Sequence, residues 1–171
     1  MLRLLATLLL AAASLGAQSR AALPDPVQLA ALFGPTFKPV ASAAVLVADL
    51  DGDGNEDAVI VAASDDPLLD QLRLNYKVID PYHTYYGFGD PKITIGFNSS
   101  EKPPLVLIVH NWRSPRLKFA VINLPFDSIS IGRAQVGKRV VPAIQAEERT
   151  GNKSFLYWDG KRWRWRDSSI Q

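Results

Sequence analysis

Residues 47–61 read VADLDGDGNEDAVIV, and four aspartates, Asp49, Asp51, Asp53 and Asp57, fall within nine positions of one another. Like charges held that close repel, so the segment either stays loose in water or gathers around something positive. Its flanks decide how it is held. The runs Ala41–Ala48 and Ala58–Ala63 carry Val, Leu, Ile and Ala on successive rather than alternate positions. That pattern predicts strands covered on both faces. The acidic segment is then the turn of a hairpin between two buried strands, and the domain is built on a sheet.

Counted from Asp49, the aspartates occupy positions 1, 3, 5 and 9, with glycines at 4 and 6 and Asn55 at 7. Alternate residues of a tightly curled loop point to its concave side. Asp49, Asp51 and Asp53 therefore converge, Asn55 offers its backbone carbonyl, and Asp57 closes the far side. An all-oxygen donor set suits a hard cation, Ca²⁺ above all, rather than zinc or copper. The spacing departs from a helix-loop-helix calcium site, which needs a bidentate Glu at position 12. Ile60 stands there, inside an apolar run.

The order Asp-x-Asp-Gly-Asp-Gly-Asn-x-Asp between two hydrophobic strands resembles the calcium-binding element of FG-GAP and VCBS repeats. The likeness covers about residues 45–63. It implies Ca²⁺ held by the side chains of Asp49, Asp51, Asp53 and Asp57 and the carbonyl of Asn55. Such repeats come in series, whereas this chain has a single copy. A propeller and its partner surface are therefore not implied.

The remaining sequence predicts one domain, residues 20–171, after a cleaved export signal at residues 1–19. Arg3, the apolar run Leu4–Ala13 and the small residues Ala17 and Ser19 have the layout of such a signal. The apolar run is too short for a membrane span, which needs roughly 20 residues. No span is expected once the signal is removed, and the location is secreted or periplasmic. With no cysteine in the chain, an exported domain is expected to rely on its core, assisted by an ion, rather than on disulfides. The charges, 19 Lys and Arg against 17 Asp and Glu, are too balanced to indicate nucleic acid.

Two short helices are expected. Asp25 caps the first, Pro26 occupies its first position and Gly34-Pro35 ends it; the second starts near Asp65 or Asp66 and ends before Pro81. The segments KITIGFN, PLVLIVHNW, KFAVINL, SISIGRA, PAIQAEE and SFLYWDGKRWRWR read as short strands bounded by turn residues. Asp159-Gly160 is the hairpin signal in the last. The fold class is thus mainly β (α+β), an antiparallel, sandwich-like domain with two short helices and a calcium-binding hairpin loop.

These features point to a non-enzymatic calcium-binding domain with a structural or binding role, its partners being the ion and a polysaccharide or envelope protein. An alternative uses the aromatic stretch 76–88, with Tyr82, Tyr85 and Tyr86, as a carbohydrate- or peptide-binding loop. A second alternative is a hydrolase using His83 or His110. Neither histidine lies in a nucleophile motif, and each is equally a strand-end or loop histidine satisfied by hydrogen bonds. In the last strand Trp163 and Trp165 share one face and Arg162, Arg164 and Arg166 the other, which predicts indoles inward and a solvated basic face.

Overall fold

The computed structural model describes residues 19–21, 25–81 and 104–168. In chain order the elements are β1 (Ser19–Ala21), α1 (Pro26–Phe33), β2 (Phe37–Pro39), β3 (Val45–Ala48), β4 (Asp57–Ser64), β5 (Lys77–Ile79), β6 (Leu105–Val109), β7 (Lys118–Val121), β8 (Ser128–Val136), β9 (Arg139–Glu147), β10 (Lys153–Trp158) and β11 (Trp163–Asp167). The domain is mainly β, with two sheets and one short helix among the described residues. None of its described helices is long and apolar enough to cross a membrane.

The larger sheet has the order β1-β3-β4-β6-β7-β5, with β2 also paired to β4. Its pairs are antiparallel except β5 with β7, which run parallel. β4 is the central strand: β3 covers the beginning of one edge, β2 covers the end of that edge, and β6 lies along the other. The smaller sheet runs β11-β10-β9-β8, all antiparallel.

Successive apolar residues on β4 and β6 have a direct cause in the packing. Val59, Val106 and Ile108 join Leu46, Phe119 and Val121 in a cluster with Ile144, Leu156 and Trp163 of the smaller sheet. Their neighbours in sequence, Ala58, Ile60, Leu105, Leu107 and Val109, pack with Leu29 and Phe33 of α1 and with Phe37 and Tyr76. Each face of the larger sheet therefore has its own apolar partner, as the unbroken runs require. In α1 the Asp25 carboxylate accepts the Val27 N–H at 3.0 Å, Pro26 opens the first turn and Gly34 follows the last residue, as the sequence predicts.

The second expected helix does not form. Residues 67–75 make consecutive turns, and 77–79 continue as β5. The leucines that suggested an apolar helix face do not make one, since Leu69 is 63% and Leu72 92% exposed. The segment is anchored instead by Tyr76, whose ring meets Phe33 at 5.3 Å and Phe37 at 5.8 Å and whose hydroxyl donates to the Pro67 carbonyl at 2.8 Å. The Lys118 ammonium, reaching from β7, donates to the carbonyls of Leu32 and Leu74, so one cation ties the end of α1 to the turns. The expected strand KITIGFN lies outside the described residues. The last hairpin is shifted by one residue: Asp159 N–H donates to the Arg162 carbonyl at 3.1 Å, leaving Gly160 and Lys161 at the tip. The Asp159 carboxylate also accepts from the amides of Lys161 and Arg162 and from Arg164 Nε, and these donors hold its pKa down at about 2.

Burial pushes the Tyr76 phenol up to about 12. A raised acid pKa stabilises the fold fully below the unfolded value of about 10, and that contribution is lost as pH rises through about 12. Wild-type stability therefore falls across this window by up to about 3 kcal/mol. Tyr76→Phe removes this part of the alkaline loss and costs about 1 kcal/mol at neutral pH. Urea unfolding of both proteins at pH 7 and at pH 10.5–11.5 checks this; identical alkaline slopes would contradict it.

Candidate metal centre

The hairpin turn is built as the spacing suggests. Ala48 pairs with Asp57, Val47 with Ala58 and Leu46 with Val59, which leaves residues 49–56 as the loop. Gly52 and Gly54 have φ of 78° and 85°, and nothing lies within 4 Å of a side-chain carbon built on either. Backbone conformation, rather than crowding, is what calls for glycine there. Asp49 Oδ1 accepts the amides of Gly52 (2.8 Å) and Asp53 (3.2 Å), and its Oδ2 accepts that of Gly54 (3.0 Å). Asp51 accepts the Asp53 amide at 3.0 Å and Asp53 accepts the Asn55 amide at 2.8 Å. Curled in this way, the loop brings one carboxylate oxygen each of Asp49, Asp51 and Asp53 within 4.8 Å of one another.

The carboxylates do not share one environment. The backbone and side chain of Asn55 hold Asp53 below the usual carboxylate range, with a smaller contribution from Arg116. Asp51 lies above that range, first because it is partly buried and then because Asp57 is near.

Asp57 points inward. It is 1% exposed. Its Oδ2 accepts the Leu50 amide at 2.9 Å and its Oδ1 accepts the Asn111 amide at 2.9 Å. One side chain thus joins the start of the loop to the residues that follow β6. Trp112 N–H donates to the Glu56 carbonyl at 2.8 Å, and Arg113 lies 3.4 Å from the Glu56 carboxylate. The segment after β6 is in this way laced along the acidic loop.

His110 stands at the same junction, and its side chain is 4% exposed. Nδ1 is 3.1 Å from Asp51 Oδ2 and 3.3 Å from Asp57 Oδ1, but neither approach is aligned as a hydrogen bond. Asp51, Asp57 and His110 form a second group whose potential ligand atoms lie within 4.8 Å. On the other side of the ring, Trp163 Nε1 donates to Nε2 at 3.2 Å. Phe119, Trp158 and Trp163 enclose the imidazole at centroid distances of 5.3, 5.5 and 5.6 Å. Burial disfavours a charged ring, yet Asp57 and Asp51 favour it and prevail, so the His110 pKa is raised. The indole contact belongs to the neutral ring, because a protonated Nε2 would oppose one N–H to another.

The five residues read from the sequence therefore divide. Asp49, Asp51 and Asp53 converge, Asn55 lies beside Asp53, and Asp57 is set deeper with His110. Tyr82, Tyr85, Tyr86 and His83 lie outside the described residues. Sequence reasoning missed the partnership of Trp163 with His110, which are 53 positions apart. The available signal was a histidine closing the fully apolar run LVLIV, where a polar ring must find its partners inside the protein.

Removing the Asp57 carboxylate orphans two amides. Asp57→Ala is expected to cost about 2–5 kcal/mol, whereas Asp53→Ala, on the exposed rim, changes stability by less than about 0.5 kcal/mol when any bound ion has been chelated. Denaturant unfolding in chelator measures both, and equal costs would contradict the different roles. In comparisons with known proteins, no family model, curated protein or solved structure matches this chain.

Proposed function

We propose that this chain is an exported, non-enzymatic, Ca²⁺-stabilised β domain carrying a single FG-GAP/VCBS-like element, with a structural or binding role outside the cytoplasm. The observation that carries the reading is the convergence of the Asp49, Asp51 and Asp53 carboxylates, one oxygen of each lying within 4.8 Å of the others. Oxygen donors at this density favour a hard divalent ion. Asp49, Asp51 and Asp53 would bind it directly, with the Asn55 carbonyl and Asp57 completing the set. The ion offsets carboxylate repulsion and holds β3 and β4 at the register of a sandwich-like core. His110 supports a structural role, since its ring is buried and engaged by Trp163. Polysaccharide or an envelope protein is the class of partner that fits an exported domain of this kind.

Calorimetric titration of metal-stripped protein with CaCl₂ is expected to show binding, with Kd near ~10⁻⁴–10⁻³ M. At a hundredfold excess over Kd the ion contributes about 2.7 kcal/mol, raising Tm by about 5–10 °C. Asp51→Ala loses both effects. A melt indifferent to calcium, with no heat of binding, would overturn the proposal. Production with the leader in a bacterial host should yield an envelope-fraction protein whose intact mass begins at or near Arg20; a mass retaining Met1 counts against export with cleavage.

A further inference from the structure

We infer that Trp163 sets the metal specificity of the loop by fixing the proton of His110 on Nδ1. This deepens the calcium proposal, on which it depends only for the identity of the ion. The argument begins with valence. A neutral imidazole has one N–H and one lone pair, and an indole nitrogen can only donate. Trp163 Nε1 lies 3.2 Å from His110 Nε2 in donor geometry, so Nε2 supplies the lone pair and Nδ1 carries the hydrogen. Nδ1 is the nitrogen facing Asp51 and Asp57.

Two consequences follow. His110 has no lone pair to offer an ion beside Asp51, although its distances alone would group it with a carboxylate pair as a nitrogen ligand. Metal-ligating histidines normally direct their outer nitrogen at an acceptor; here the outer nitrogen meets a donor. The coordination available to a cation is thereby kept to oxygen, which favours Ca²⁺ over Zn²⁺. The Nδ1 hydrogen is thereby turned toward the carboxylates of Asp51 and Asp57, at 3.1 and 3.3 Å. His110 is thus a positioning residue for Asp51 and Asp57, and Trp163 is the group that keeps it so.

Two measurements test this on the full folded domain. Long-range ¹⁵N–¹H spectra of wild-type protein at a pH where His110 is neutral should place its hydrogen on Nδ1; a hydrogen on Nε2 overturns the inference. Trp163→Phe keeps a ring but removes the indole N–H, freeing Nε2 to carry the hydrogen and Nδ1 to bind metal. Zn²⁺ affinity, read by competition with a chromophoric chelator, should then rise about tenfold or more, with Ca²⁺ affinity little changed. Adding His110→Ala should abolish the gain. Unchanged Zn²⁺ affinity in folded Trp163→Phe, or a gain that survives His110→Ala, overturns it. If Trp163→Phe does not fold, the wild-type spectrum decides alone. Failure of calcium to bind a protein with Nδ1–H in place would instead sink the proposed function and leave the proton assignment standing.

Discussion

The arrangement of this domain near its acidic loop depends on the Asp57 carboxylate. It is buried, yet both of its oxygens accept backbone amides, one from Leu50 and one from Asn111. A buried carboxylate is costly unless hydrogen-bonded, and here each bond closes a different part of the chain. Asp57 opens β4, Leu50 belongs to the loop and Asn111 follows β6. The side chain therefore determines where the loop leaves the sheet and where the next segment turns. Asn111 has φ of 51°, a conformation asparagine tolerates better than most residues, and this aims its amide at Asp57.

From that point the polar contacts continue across the domain interior. His110 lies against Asp57 and Asp51, and Trp163 reaches it from the smaller sheet. The apolar cluster between the sheets consequently encloses a line of polar groups that runs from the loop to β11. The rings of Phe119, Trp158 and Trp163 bury its His110 end, where a low local dielectric strengthens the contact with Trp163.

How much of this could be read from the sequence follows from how locally each feature is encoded. Strands covered on both faces leave an unbroken apolar run, so β3, β4 and β6 were readable without any knowledge of what covers them. The glycines and aspartates of the loop encode its curl within nine residues. The segment 67–75 misled because Pro67 and the following leucines imitate a helix start and an apolar face. Its actual anchors, Tyr76 against Phe33 and Phe37 and the Lys118 contact with Leu74, come from distant parts of the chain. The division of the acidic residues was hidden for the same reason. Whether Asp57 faces an ion or the protein interior depends on Asn111 and His110, and nothing within the loop records them.

The winding of the two sheets has a consequence for how the chain assembles. The smaller sheet is an up-and-down series of neighbours, β8 to β11, joined by brief turns. The larger one inserts β6 between β4 and β7 and returns to β5 for its far edge. Short closures cost little chain entropy and distant ones cost more, so the penalty of ordering falls mainly on the larger sheet. The C-terminal meander can zip up by local encounters alone. Trp163 then belongs to the readily formed half, and His110 to the half that must be gathered from afar.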